Sequence, residues 1–338
     1  MQTTLYTTPA GFDSLAADWN ALVERSVTNV PFLRLEWQQT WWTHLGEGEL
    51  LLVAVRAGDG QLIGLAPLFR LDKITHMSLN TVGCVDVSDY LDLIVARGHE
   101  TAVYEALLDA LAGPDAPAWD TWSLCNVPAA SPTLSWLPEL AAAHGYGVSK
   151  SVQEVCPIVR LPSTWEGYLE LLDKKDRHEL RRKMRRAEEA GASMYLTRGE
   201  ESLDADIDAF IELLIKSRPD KAEFMDASMR AFFHAAAHAA RQAGWLLLSF
   251  AEVQGVKAAA YLNFDYANTV MLYNSGFDME RFGHLSLGNA LAGWSIQHAI
   301  EQGRAAFDFL RGNEAYKYRL GGVDTQIYRL ELKREIRL

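Results

Sequence analysis

ELLLVAVRAGDGQLIGLAPLF, residues 49–69, aligns without a gap on GWLLLSFAEVQGVKAAAYLNF, residues 244–264. At one constant offset of 195 residues, Leu51 falls on Leu246, Leu52 on Leu247, Gly60 on Gly255 and Phe69 on Phe264. Each stretch is an apolar run, a polar turn carrying glycine, and a second apolar run, which is how two antiparallel strands and their hairpin are written. One architectural plan used twice is the expectation.

The flanks extend the repeat. Upstream of the first hairpin, Leu33, Trp37, Trp41 and Leu45 recur at helical spacing; upstream of the second, Met229, Phe232, Phe233, Ala236 and Ala240 do the same. Downstream, Val103, Leu107, Ala110 and Leu111 mark one helical face, and Leu287, Leu291, Trp294 and His298 mark another. TWSLC (121–125) and AFDFL (306–310) then read as short strands. Helix, hairpin, strand, helix, strand predicts an α/β fold of two tandem domains, each a mixed, mostly antiparallel sheet flanked by helices. At Leu161-Pro162-Ser163 an extended segment gives way to the helical pattern of Trp165, Tyr168, Leu169 and Leu172, which places domains at 1–162 and 163–338.

Composition narrows the function. The chain has 338 residues, 49% of them hydrophobic, enough for two packed cores. A formal net charge of -12 opposes broad binding to nucleic acid or to anionic membranes. The start, MQTTLYTTPAGFD, lacks the pattern of a signal peptide and no apolar run is long enough to span a bilayer, so a cytoplasmic protein is expected. Cys84, Cys125 and Cys156 are far apart without a C-x-x-C pair and read as separate buried thiols. His234 and His238 have metal-ligand spacing, but no acidic residue adjoins them in their Ala-rich helix, and no catalytic metal is expected.

Several further stretches resemble the GNAT acetyltransferase superfamily, specifically its tandem CelD/BcsL-like branch, and more distantly the FemAB aminoacyl transferases. They are FLRLEWQQTWWTHLG, DGQLIGLAPLF and SDYLDLIV in the first half, and KKDRHELRRKMRRAEEAG, LYNSGFD, LSLGNAL and FDFLRGNEAYKYRLGG in the second. The resemblance implies two GNAT-like domains, acyl transfer as the activity, and acetyl-CoA or another acyl-CoA as donor. A small-molecule or saccharide acceptor is the first expectation for the partner. An aminoacyl-tRNA donor, as in FemAB-type enzymes, or a non-catalytic binding protein on the same fold, are the alternatives.

Site residues follow from what such chemistry needs. A pyrophosphate is held by N–H groups at a helix start, and in GHLSLGNAL Ser286 is placed to cap the helix, Gly288 to allow close approach, and Asn289 to sit in its first turn. Tyr273, Asn274 and Ser275 end the preceding strand, where backbone groups can bond the donor. Acyl transfer also requires a base, an acid and a polarised carbonyl. Glu314 ranks first as base, Lys317 is placed to neutralise an oxyanion or an acceptor carboxylate, and Tyr316 or Tyr318 to donate a proton. Asp308, in an apolar strand, either serves catalysis or pairs with Arg311 or Lys317. The first half lacks counterparts of LSLGNAL and RGNEAYKYR and is expected to have lost donor binding. Its Asp86, Asp89, Tyr90 and Asp92 form an acidic cluster that reads either as a carboxylate-rich wall of the acceptor cleft or as a solvated strand edge, and with Arg311 from the second half they are the candidate acceptor contacts. The basic run of residues 174–186 reads either as a solvated helix face or as a dock for a phosphorylated partner.

Overall fold

The computed structural model describes residues 1–84, 87–197, 199 and 201–334. Contacts divide the chain into two units, Met1–Glu154 together with the segment starting at Gln326, and Val155–Thr325. The first unit runs β1 (Gln2–Tyr6), α1 (Ala10–Arg25), α2 (Leu35–Leu45), β2 (Glu49–Arg56), β3 (Leu62–Asp72), β4 (Met77–Thr81), β5 (Ile94–Val95), α3 (Glu100–Ala112), β6 (Thr121–Pro128) and α4 (Thr133–Ala143). Strand β7 (Tyr146–Arg160) carries the chain into the second unit. There follow α5 (Trp165–Leu171), α6 (Lys174–Glu189), β8 (Ser193–Leu196), α7 (Leu203–Ser217), α8 (Pro219–Phe224), α9 (Ala227–Gln242), β9 (Leu246–Val253), β10 (Val256–Tyr266) and β11 (Thr269–Phe277). The last elements are α10 (Met279–Phe282), α11 (Leu287–Glu301), β12 (Ala306–Asp308), α12 (Ala315–Arg319) and β13 (Val323–Arg334).

Both halves of the quoted repeat form the hairpins they predict, β2–β3 and β9–β10. The likeness reaches a detail of register. In the first hairpin the pairing skips Ile63, between Arg56↔Leu62 and Val55↔Gly64. In the second it skips Ala258, between Lys257↔Glu252 and Ala259↔Ala251, so the two bulges stand at the same 195-residue offset. A bulge leaves one residue unpaired and bends its strand. Each hairpin leads into a third antiparallel strand, β4 or β11, which then pairs in parallel with β6 or β12.

The predicted core stripes are largely buried: Leu33, Trp37 and Trp41 in the first unit, Phe232, Phe233, Ala236 and Ala240 in the second. Leu33 belongs to a 3-10 turn, Pro31–Leu33, ahead of the helix it was expected to join.

The division at residue 162 is corrected in a specific way. Residues 161–163 do separate a strand from a helix, with Thr164 capping α5 by accepting the Gly167 N–H at 3.1 Å. The units, however, part inside β7, and β13 returns to the first unit, where it pairs antiparallel with β6. In the second unit the strand beside β12 is the end of β7, through Ile158, Val159 and Arg160. In each unit the set of strands is therefore completed by one that its own contiguous repeat does not supply.

Two further expectations change. Cys84 and Cys125 are disulfide-bonded, with Cα atoms 6.2 Å apart, and only Cys156 is a free thiol. The parallel pairing of β4 with β6 brings together two cysteines separated by 41 residues, which spacing along the chain does not reveal. His234 and His238 do have acidic partners, Asp208 and Asp204, supplied by α7 and not by their own helix. Among the described residues no helix is long and apolar enough to cross a membrane.

Candidate active site

In the second unit, parallel pairing between β11 and β12 runs from Thr269↔Ala306 to Met271↔Asp308 and stops there, because β12 ends. Strand β11 continues to Phe277. Its edge from Leu272 onward has no strand partner on that side among the described residues, and a strand edge of this kind offers rows of N–H and C=O groups. The strand is also bulged: Leu262 pairs with Asn274 and Asn263 with Leu272, leaving Tyr273 as the extra residue. Bulges re-aim the side chains that follow.

After the bulge, Ser275 and Phe277 line a cleft of about 210 Å³ that is also walled by Tyr261, Asp278, Ser286, Gly288, Asn289 and Tyr316. That is smaller than the roughly 300–1,000 Å³ of sites that enclose a whole drug-sized ligand. It suits the reactive end of a longer donor. At the start of α11, the Ser286 N–H is taken by the Gly283 carbonyl and the Asn289 N–H by that of Ser286. Among the described residues, the N–H groups of Leu287 and Gly288 meet no backbone acceptor, which is the arrangement that receives an anion.

Four of the six expected donor-binding residues, Ser275, Ser286, Gly288 and Asn289, line this cleft. Tyr273 does not: it is stacked on Phe264 and contacts Phe233 of α9. Asn274 accepts from Lys221 of α8 at 3.3 Å. Ser286 does not cap α11 with its side chain; its φ of 56° puts it in the left-handed region, the bend through which the preceding 3-10 turn enters the helix. The absence of a Cβ at Gly288 serves packing, since a Cβ there would lie 2.4 Å from the Phe277 ring.

The catalytic candidates separate more sharply. Tyr316 lines the cleft. Burial, and secondarily the charge of Glu314, raise the pKa of its hydroxyl above the ordinary tyrosine value, so it stays a proton donor. Tyr261, which sequence reasoning missed, donates to the Gly288 carbonyl at 2.9 Å and is likewise raised, by burial first and Tyr316 second. A tyrosine inside the otherwise apolar run AAAYL was the available signal, because a buried hydroxyl demands a partner.

Lys317 is 3% exposed and donates to the carbonyls of Leu310 at 3.2 Å, Arg311 at 2.5 Å and Gly312 at 3.1 Å, while pairing with Glu314 at 2.9 Å. An ammonium has three donors. All are spent on the protein, so the expected oxyanion role gives way to that of a clip holding the loop after β12. Asp308, buried, accepts the Leu310 N–H at 2.8 Å and shapes the same loop, in which Leu310 has φ 55°. Glu314 is half exposed. Arg311 is half-buried and contributes its carbonyl to the Lys317 clip.

In the first unit the candidate acceptor residues turn inward, correcting the expectation of an acidic wall. Asp92 accepts from the hydroxyls of Thr28 and Thr133, both at 2.5 Å, and from the Leu93 N–H at 2.9 Å. Burial raises its pKa, against hydrogen bonds from Ser131, Thr133 and Thr28 that lower it. Asp89 and Tyr90 are buried too, and Asp86 lies outside the described residues. The segment fills the place where the second unit opens: the Leu91 N–H donates to the Asn126 carbonyl, and Asn126 Nδ2 to the Ser88 carbonyl at 2.6 Å. Asp92→Ala is expected to take this acceptor from the Thr28 hydroxyl and the Leu93 N–H, leaving Thr133 with Tyr104 at 2.9 Å, and to cost about 1–3 kcal/mol. A lowered urea midpoint with unchanged turnover per folded molecule is the result to look for.

Residues 174–318 match the family model of the acetyltransferase (GNAT) domain. The second unit is thus a GNAT domain, and the protein is an acyltransferase of that type. The whole chain is similar in fold to a structure of FemX, with a TM-score of 0.68 at 12% identity over 98% of this chain and 97% of that one. It is also similar to L-PGS from Bacillus licheniformis, with a TM-score of 0.58 at 13% identity over 98% and 94% of the two chains. A third similar structure is the C-terminal domain of a putative lysylphosphatidylglycerol synthetase from Agrobacterium fabrum, with a TM-score of 0.57 at 10% identity over 96% and 92%. No curated protein matches the chain.

Proposed function

We propose that the second unit transfers an acyl group from acyl-CoA, acetyl-CoA in the simplest case, to an amine or hydroxyl of a small molecule or saccharide. The observation carrying this reading is the parting of β11 from β12 beside the cleft at the start of α11. The free edge of β11 bonds the amides of the donor's arm and polarises the thioester carbonyl. The Leu287 and Gly288 N–H groups receive its pyrophosphate. Tyr316 gives its proton to the leaving sulfur as the carbon–sulfur bond breaks, and Glu314 takes the proton that the acceptor loses as the new bond forms. The chemistry that the donor supplies is its activated thioester.

A second reading, aminoacyl transfer from an aminoacyl-tRNA, is favoured by the basic helix α6. Leu180 and Met184 of α6 lie against Gly293 of α11, and Arg186 donates to the His284 carbonyl at 3.0 Å, next to Gly283 on the cleft wall. Arg186, in its last turn, therefore stands beside the same cleft. The likeness in fold to FemX agrees with this reading.

Calorimetric titration with acetyl-CoA decides between them. Saturable binding that Gly288→Leu abolishes is the expected result, because the larger side chain fills the helix start. Absence of binding at high micromolar concentration, with tight binding of bulk aminoacyl-tRNA, would replace the first reading by the second.

A further inference from the structure

We infer that Asp204 and Asp208 on α7, with His234 and His238 on α9, form a site for a first-row divalent cation of the zinc class. The four residues are two pairs at helical i, i+4 spacing, and each pair turns to the other across the seam between the helices. His238 Nε2 lies 2.6 Å from Asp204 Oδ1, His234 Nδ1 lies 3.6 Å from the same oxygen, and His234 Nε2 lies 2.9 Å from Asp208 Oδ1. One carboxylate oxygen thus stands between two imidazoles, and a ligand atom from each of Asp204, His234 and His238 falls within 4.8 Å of the others.

Zinc binds imidazole nitrogen and carboxylate oxygen at about 2.0–2.2 Å, which puts tetrahedral ligand atoms about 3.4 Å apart. Rotation of side chains covers the difference. The backbones beneath are already fixed: Phe210 of α7 packs on Phe233 of α9 at 6.0 Å between ring centroids, and both are fully buried. The ligands themselves are open to solvent, with His234 29% and His238 42% exposed, so an ion can enter and keep a water. Two imidazoles with carboxylates select zinc and its neighbours over magnesium or calcium, which prefer all-oxygen shells. Exposed imidazole–carboxylate pairs alone contribute little to holding two helices together.

Such a clamp lies behind the active strand. Phe233 of α9 contacts Tyr273, the extra residue of the β11 bulge, at 6.0 Å. Gly276 of β11 lies so close to α7 that a Cβ there would come within 2.3 Å of the Leu214 nitrogen. Joining α7 to α9 therefore steadies the layer on which the cleft-lining end of β11 rests.

The test uses the full chain, stripped with a chelator, dialysed, and titrated with Zn²⁺. One equivalent is expected to bind, and the unfolding temperature should rise steadily with the logarithm of Zn²⁺ concentration while Mg²⁺ leaves it unchanged. His234→Ala with His238→Ala should weaken binding by at least the ~10–100-fold that losing a mere outer-shell partner costs. No saturable uptake, or equal affinity in that double variant, would overturn the inference. Should the double variant fail to fold, Co²⁺ absorption decides: a tetrahedral visible band in the parent protein that is lost in Asp204→Asn supports the site, and an identical band in both refutes it.

Discussion

A chain ended at Thr325 is expected to lose the fold of its first unit while Val155–Thr325 keeps its contacts. The missing strand β13 pairs with β6 from Ile327↔Pro128 to Lys333↔Thr121. It buries Ile327, Leu330 and Leu332 completely. Each such side chain contributes about 1.5–3 kcal/mol, and a domain's total stability is about 5–15 kcal/mol. Removing three of them along with the strand pairing to β6 consumes most of that margin. Limited proteolysis of the truncated chain should cut throughout residues 1–154 and spare the second unit. A truncated protein that unfolds at the parent's temperature, with residues 1–154 still resistant, would show that β13 is dispensable and that the first unit closes its own sheet.

The second large effect is Tyr316→Phe. It removes the hydroxyl on the cleft wall and leaves the ring in its edge-on contact with Phe309, with centroids 6.0 Å apart. Loss of a general acid typically costs about 10²–10⁴-fold in rate. The drop should appear in kcat, with KM for the donor little changed, because the ring that shapes the cleft remains. The pH dependence has a definite sign. Burial and Glu314 both favour the protonated hydroxyl, so the limb on which the acid is lost lies above the ordinary tyrosine value of about 10. Stability shifts the same way. The contribution of a tyrosine raised in the folded state is complete below the unfolded value and is lost as pH climbs through the folded one. A variant that keeps full kcat on acyl-CoA with its acceptor would remove Tyr316 from the reaction.

Much of the site could be read along the chain because its parts are local. The junction GHLSLGNAL is a 3-10 turn and a helix start that follow the end of β11 within ten residues, and Ser275, Ser286, Gly288 and Asn289 meet at one cleft. Residues whose role depends on distant partners were read less well. Lys317 looks like a free cation in RGNEAYKYR, yet the turn after β12 folds three carbonyls onto it. Asp92 looks like part of an acidic face, yet hydroxyls from residues 28 and 133 converge on it. Tyr273 looks like the end of a strand that offers itself to a ligand, and a one-residue bulge turns it to the opposite face.

The sequence by itself determined that the chain uses one plan twice, since hydrophobic spacing and turn chemistry are local properties that recur at a fixed offset. Only the tertiary structure decided where each sheet ends, which carboxylates are buried, and which cysteines and histidines find partners. A strand's neighbour, unlike a strand, is chosen by long-range pairing: β7 and β13 are equally good strands, and nothing in their own residues says which sheet each completes.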